Sequence, residues 1–396
     1  MAHDVLRGLQ YRVDAADRAC RTRGSSPTSH TEKLMKRGRV FLLAVGYGAL
    51  LALLFVGIKR FERFAADAWY QMVTRRMAAT QAHVPIQRCI LGVYKPELPY
   101  SFRLLTQLED TVGQRFTIVS FYQAWGDDPE HAFQPALMDN IIKHGYTPMI
   151  TWEPWVSGFE SDSLPPMPER EWRCMRDIGD GRYDDYLVAW AKAAVAWGRP
   201  FFLRFAHEMT NPQYPWSPVN GNTPSDYKNA WWHVWALFKH LGAENVIWVW
   251  CPYGTETKKY YPGDKYVDWT AMDVFNYGEI LFGENERRWM SFDELASPLY
   301  AELESIRKPL MIAEVGCSDI GGSREVWYRE MLTQVMTKFT RVKALVFFEN
   351  PSDRTSGIWN IDWSVGASPE VTAEVRSVLE QNYFVHIPDY ERKLAR

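Results

Sequence analysis

From Arg88 onward, short apolar runs recur along the chain, separated by stretches of helical character. They read RCILGVYK (88–95), RFTIVSFYQAW (115–125), TPMITWEPW (147–155) and PFFLRFAHEM (200–209). Then follow VIWVWCPYG (246–254), AMDVFNYG (271–278), PLMIAEVGC (309–317) and VKALVFFEN (342–350). Val, Ile, Phe and Trp dominate, and most runs lack polar alternation, as parallel strands buried on both faces do. Between them, DDYLVAWAKAAVAW, SDYKNAWWHVWALFKHL and SFDELASPLYAELESI carry helical spacing, with Ser225 and Ser291 as N-caps. The connection after the sixth run is the least regular, and a long Pro-rich loop precedes the fourth. Eight strand–helix repeats on one chain predict an α/β fold, a (β/α)8 TIM barrel. An open doubly wound sheet is the alternative, but no GxGxxG follows the first strand, so nucleotide binding has no support.

The pattern before residue 88 is different. Val40 to Ile58 reads VFLLAVGYGALLALLFVGI, without a charge. At about 1.5 Å rise per residue it spans roughly the hydrocarbon core of a bilayer. Lys33, Lys36, Arg37 and Arg39 precede it, and Lys59, Arg60 and Arg63 follow. The nine Lys and Arg of residues 1–39 favour that end in the cytoplasm. A buried core helix and a cleaved signal peptide starting at Met35 are the rival readings. The only small-x-small site, Ala66-Asp67-Ala68, lies beyond several charges, which suits retention better than cleavage. The expected organisation is a basic cytoplasmic segment 1–39, a single transmembrane signal-anchor 40–58 in the lipid bilayer, a linker 59–87, a catalytic barrel 88–385 and a tail 386–396. The barrel would then lie outside the cytoplasm, periplasmic or extracellular.

Composition adds one unusual feature. Aromatic residues make up 15% of the chain, with 18 Trp, whose faces can stack on sugar rings although many must simply fill core. A formal charge of −3 argues against nucleic acid as a partner. Five Cys without a CxxC pair give no zinc or redox motif, and leave open one bridge among the last four.

In a barrel of this kind chemistry sits where the strands end. The third run ends in Trp152-Glu153-Pro154-Trp155, the fourth in His207-Glu208-Met209 and the fifth in Trp250. The sixth ends in Asn276-Tyr277, the seventh in Glu314, the eighth in Phe347-Phe348-Glu349-Asn350. Carboxylates and aromatics on one face suit a neutral, ring-shaped, hydroxylated ligand. Strands four and seven of an eight-strand barrel lie nearly opposite, so Glu208 and Glu314 are credible partners for cleavage of a glycosidic bond.

RFAHEM followed by Trp216, with YYPGDKYVDWTAMDVFNYG and PLMIAEVG, resembles glycoside hydrolase family 26, a clan A barrel family of endo-β-1,4-mannanases and mixed-linkage β-1,3-1,4-glucanases. The likeness runs from about Ile90 to Trp363. It implies a retaining endo-β-glycanase with Glu208 as acid/base and Glu314 as nucleophile. His207 would hydrogen-bond the reacting sugar, Arg204 would keep the nucleophile ionised, and Tyr277 would orient Glu314. Trp216 would wall the sugar site, with Trp152 and Trp155 as further stacking residues. The family usually continues His-Glu-Met with Asn-Gly, where this chain has Thr210-Asn211-Pro212. Phe347 and Phe348 stand where an eighth-strand Trp commonly forms the floor of the site. Tyr214-Pro215-Trp216 and TWEPW lean towards the glucanase branch.

Competing readings are concrete. Glu208 could be a buried ion-pair partner of Arg204, and Glu153 and Glu349 also end strands. His207-Glu208 lacks the second His of HExxH, so no metal is expected, nor a cofactor. Trp190, Trp197, Trp231, Trp232 and Trp235 lie in helical stretches and read as packing; Trp248 and Trp250 share one face of a strand. The anchor motivates a second class of function: a non-hydrolytic binding or transglycosylating component of exopolysaccharide synthesis or export machinery.

Overall fold

The computed structural model describes residues 88–160, 164, 166–282, 285–286, 288–355, 360–388 and 390. The basic segment 1–39, the apolar span 40–58, the linker 59–87 and residues 391–396 lie outside them. Among the described residues no helix is long and apolar enough to cross a membrane.

Each of the eight apolar runs is a strand: β1 Cys89–Tyr94, β2 Ile118–Ala124, β3 Thr147–Glu153, β4 Phe201–Phe205, β5 Val246–Trp250, β6 Trp269–Asn276, β7 Leu310–Cys317 and β8 Val342–Phe348. They pair in parallel in chain order, and β8 returns to β1, with Ile90 opposite Ala344 and Tyr94 opposite Phe348. The result is a closed (β/α)8 barrel. Closure removes the sheet edges, which is why runs this apolar can be buried on both faces.

Alternation divides each strand between two cores. Ile90, Ile118, Met149, Phe202, Val249, Ala271, Met311 and Val346 fill the barrel interior. The alternate positions, Leu91, Val119, Ile150, Leu203, Trp248 and Trp250 among them, pack outward against the helices. Trp248 and Trp250 share a face as expected, and Trp190 and Trp231 are buried in the same outer layer.

The helices are α1 Arg103–Val112, α2 Pro135–Lys143, α3 Cys174–Gly179, α4 Asp184–Trp197, α5 Pro224–His240, α6 Phe292–Glu304, α7 Arg324–Thr337 and α8 Pro369–Leu379. The expected strand–helix repeat breaks between β5 and β6, where a single 3-10 turn, Thr257–Tyr260, stands in place of a helix. After β6 a two-strand hairpin, Leu281–Phe282 with Asn285–Glu286, precedes α6. Ser291 caps α6 with Glu294 in a reciprocal box, as its sequence pattern predicts. At α5 the cap is Thr223 rather than Ser225. Thr223 Oγ1 accepts from the Asp226 amide at 3.1 Å while Asp226 accepts from the Thr223 amide at 2.9 Å. Pro224 occupies the first turn, where its missing N–H costs nothing, so the helix starts before Ser225.

The tail boundary at 385 also moves. Ile387 and Tyr390 are buried with the barrel interior, Tyr390 stacked on Phe202 at 6.4 Å, and the Ile387 amide donates to Thr117 Oγ1 at 3.1 Å. Residues 386–388 and 390 therefore belong to the barrel, stoppering the end opposite the strand C-termini. The four cysteines among the described residues, Cys89, Cys174, Cys251 and Cys317, are buried free thiols.

Candidate active site

Interior positions near the C-terminal ends of the strands change from apolar to polar. Tyr94, Tyr122, Thr151, Arg204, Asp273 and Glu314 replace the aliphatic layers below. Arg204, fully buried on β4, organises them. Its Nη1 donates to both carboxylate oxygens of Asp273 at 2.9 and 2.8 Å, and its Nε and Nη2 donate to Thr151 Oγ1 at 3.0 and 2.8 Å. Its Nη2 also donates to Glu314 Oε1, which accepts a second hydrogen bond from the Tyr122 hydroxyl. A guanidinium presents five N–H groups in one plane, which is why a single buried cation can serve three acceptors. Arg204 is thus paired with Asp273 and Glu314 rather than with Glu208.

Glu314 reaches this site by a local irregularity. Met311 and Ala313 both face the interior, so strict alternation would turn Glu314 outward. The register of β6 against β7 jumps from Met272–Ile312 to Asp273–Glu314, and that of β8 slips at the same place. This β-bulge inserts one residue and re-aims the Glu314 carboxylate into the barrel mouth.

Glu208 arrives by a different device. After Phe205 the chain turns through Ala206 and Glu208, both with positive φ (42° and 49°), a conformation that costs non-glycine residues about 1–2 kcal/mol each. The Glu208 amide donates to the Cys251 carbonyl at 2.7 Å, the Ala206 amide to the Trp152 carbonyl at 3.1 Å, and these bonds hold the turn. Glu208 Oε2 accepts from Asn211 Nδ2 at 2.7 Å. Burial raises its carboxyl well above the ordinary range, and the negative charges of Asp273 and Glu314 add to the rise. His207 is pushed the other way, well below its usual value, by burial and then by Arg204, so the imidazole is neutral. Its Nε2 lies 3.0 Å from the Tyr214 hydroxyl, and among the described residues its buried Nδ1 has no partner.

A cleft of about 480 Å³ is lined by Glu208, Asn211, Tyr214, Asp273, Tyr277 and Glu314, with Phe348 at its edge. Of the expected aromatic contacts, Phe348 and Tyr277 meet it, and Trp155 stands behind Tyr214 at 6.1 Å. Three do not. Trp152 lies on the outward face of β3, packed between Trp125 and Trp190, because Thr151 and Glu153 take the inward positions. Phe347 points outward onto Phe116 and Tyr328 for the same reason. Trp216 is buried, its indole N–H bound to the His207 carbonyl at 2.7 Å, and Tyr214, stacked on it at 4.4 Å, faces the cleft instead. Tyr122 and Asp273 do not figure among the residues expected from sequence, and Asn211 figures only as a departure from the family pattern. Inward alternation from Ser120 and Ala271 offered a signal for the first two; the Asn211 contact depends on the turn.

The other two strand-end carboxylates separate cleanly. Glu349 accepts from the amides of Val365 and Gly366 at 2.7 and 3.1 Å and lies 4.0 Å from Lys95, tying down the loop after β8. Glu153 has its carboxyl raised to about 7 by burial, against opposing pulls from Trp155 and Arg204. A carboxyl raised on folding contributes most below its unfolded value, and that contribution is lost as pH rises towards 7. Replacing Glu153 by Gln, which keeps an acceptor but cannot ionise, should therefore raise the melting temperature relative to wild type at pH 8 by roughly 2–4 °C or more, and little at pH 4. Thermal melts at both pH values measure this; an equal shift at both would mean ionisation is not the cause. Among the described residues one metal-like cluster occurs, Asp128, Glu130 and His131 on the loop after β2, with both carboxylates exposed. Exposed acidic groups of this sort do not in themselves make a site.

The site thus holds, on one side of the cleft, a buried carboxyl that keeps its proton more tightly than usual. On the other, a second carboxylate is clamped by a guanidinium and a phenol. Such a pair can donate a proton and present a nucleophile in the same cavity at neutral pH.

Comparison with known proteins points one way. Residues 182–289 match the family model described as glycosyl hydrolase family 26. The chain is 31% identical over 284 residues to endoglucanase H of Acetivibrio thermocellus, covering 69% of this chain and 29% of that protein. It is 27% identical over 177 residues to mannan endo-1,4-beta-mannosidase A and B of Caldalkalibacillus mannanilyticus, covering 42% of this chain and 29% of that one. The chain therefore spans less than a third of either relative's length. Among solved structures, the Bacillus subtilis mannanase BCman superposes with a TM-score of 0.55 at 18% identity, over 80% of this chain and 92% of that one.

Proposed function

We propose that this chain, which belongs to glycosyl hydrolase family 26, is a retaining endo-β-glycanase that cleaves a β-linked polysaccharide by double displacement. The observation that carries the reading is the unequal pair on one cleft: Glu208 raised by burial, Glu314 held by Arg204 and Tyr122. In the first step Glu314 attacks the anomeric carbon while Glu208 gives its proton to the departing glycosidic oxygen. In the second, Glu208, now ionised, takes a proton from water as that water attacks the anomeric carbon and releases Glu314. Carboxyl groups about 5–5.5 Å apart suit this route. Neutral His207 offers Nδ1 to a sugar hydroxyl, and Tyr122, whose own ionisation burial suppresses, remains a donor to Glu314.

Mixed-linkage β-1,3-1,4-glucan is the first substrate to try, with β-1,4-mannan second. The relative sharing most of this chain is named an endoglucanase, and the mannosidase shares less. The deciding experiment is a product profile on lichenan, glucomannan, galactomannan and β-1,3-xylan. Reducing ends released with retained anomeric configuration from one of them are expected, and none from any would sink the proposal. A transglycosylating role remains the second reading, favoured by the uncharged stretch 40–58 as a tether near sites of polysaccharide assembly. Elongated products in place of new reducing ends would select it.

A further inference from the structure

The large hydrophobic side chains that stand exposed among the described residues share one end of the barrel. Tyr100 and Leu104 follow β1, Met167 and Trp172 follow β3, Val219 follows β4 and Tyr253 follows β5. All are on the side of the cleft, and Tyr253 lines it. Apolar side chains scattered singly over a surface are ordinary, so what marks one of them out is the way it is held. Trp172, with 56% of its surface exposed, is the largest of these groups.

Its position is built. The indole lies against the backbone of Gly221, where a Cβ would approach within 2.7 Å of the ring and where φ is +75°. Only glycine accepts both conditions without strain. The seat connects to the cleft wall through successive hydrogen bonds. The Arg173 amide donates to the Asn220 carbonyl at 2.8 Å, and Asn220 Nδ2 donates to the Tyr214 carbonyl at 3.2 Å. The Tyr214 hydroxyl in turn meets His207. Arg173 is further fixed by Asp226, with its Nη2 at 3.2 Å from both carboxylate oxygens. A solvent-facing ring seated on Gly221, at the same end of the barrel as the cleft, suits the apolar C–H face of a pyranose, which stacks on an indole without any charge complementarity.

We propose that Trp172 is an outer platform that stacks a sugar residue of the same β-linked polysaccharide, beyond the residue that meets Glu208 and Glu314. This rests on the glycanase reading above. A platform outside the cleft lining grips long chains and is out of reach of short ones, so it favours attack inside a polymer.

The test is affinity electrophoresis of the full chain in native gels containing barley mixed-linkage glucan, glucomannan or galactomannan, with Trp172→Ala and Trp172→Tyr beside wild type. Retention by the polymer that binds wild type should weaken about 3- to 10-fold in W172A, and W172Y should restore most of it. KM for that polymer should rise by a similar factor, and by less for a trisaccharide. Equal retention of wild type and W172A overturns the inference. So does an equal loss on polymer and trisaccharide, or a change of oligomeric state in W172A with retention intact, which would make the patch a protein contact. If wild type is neither retained by nor active on any of these polymers, the glycanase reading falls first.

Discussion

Glu314→Ala should lower hydrolysis of the preferred polysaccharide by a factor on the order of 10⁴ or more, with circular dichroism and elution volume unchanged. The size follows from the role proposed for Glu314: without a nucleophile no glycosyl-enzyme would form, and neighbouring groups cannot replace a missing covalent step. Glu208→Ala should behave differently. If Glu208 is the proton donor, as proposed, cleavage of a sugar–sugar bond should collapse, while an aryl glycoside with a good leaving group should still release its phenol in the first step. The pH profile of wild type carries the same signature. Because burial and the charges of Asp273 and Glu314 lift Glu208 well above the ordinary carboxyl range, kcat/KM should decline only as pH rises through that raised value. Hydrolysis of the polymer by E314A at a tenth of the wild-type rate would refute the assignment of the nucleophile, whatever the product.

Arg204→Ala should be the most damaging substitution to both fold and function. Arg204 is fully buried and bonded to Thr151, Asp273 and Glu314, so its removal strands two buried carboxylates without a cation. Breaking a buried pair from one side costs about 3–5 kcal/mol, which corresponds to a fall in melting temperature of roughly 10 °C. Arg204→Lys should not restore activity, since an ammonium cannot hold three acceptors in one plane. The deficit has a pH dependence of known sign. Asp273 is already raised to about 7 in wild type by burial, against the pull of Arg204; without that pull it rises further, so the variant loses more stability than wild type as pH climbs. The gap to wild type should narrow as pH falls towards 4, where Asp273 is protonated in the folded state of both proteins. A gap that stays constant from pH 4 to 8 would mean that lost packing, not stranded charge, explains the damage.

The strands were easy to read because each is buried on both faces and so carries an unbroken apolar signature, with Phe201–Phe205 and Leu310–Cys317 the clearest. The missing helix between β5 and β6 was harder, since Thr257–Tyr260 lies among polar and aromatic residues that give no period of either kind. The aromatic roles failed in a specific way. Trp152, Trp216 and Phe347 have the right chemistry for a sugar site, yet their direction depends on parity along the strand or on the turn that follows it. Parity put Trp152 and Phe347 outside the barrel, and the Tyr214–Trp216 stack put Tyr214 in front.

The linear order of residues determined the eight strands, their parallel arrangement, and that Arg204, His207, Glu208, Tyr277 and Glu314 would gather where strands end. These depend on periodicity and on position along an element, both of which are local. Only the tertiary structure decided which side chains face the cleft. The bulge at Ala313 turns Glu314 inward, the left-handed turn at Ala206 and Glu208 throws the second carboxyl back over the mouth, and Tyr122 arrives from the neighbouring side of the barrel. Each of these requires partners distant in the chain, such as the Cys251 carbonyl that holds the Glu208 amide, and no window of sequence contains both members of such a pair.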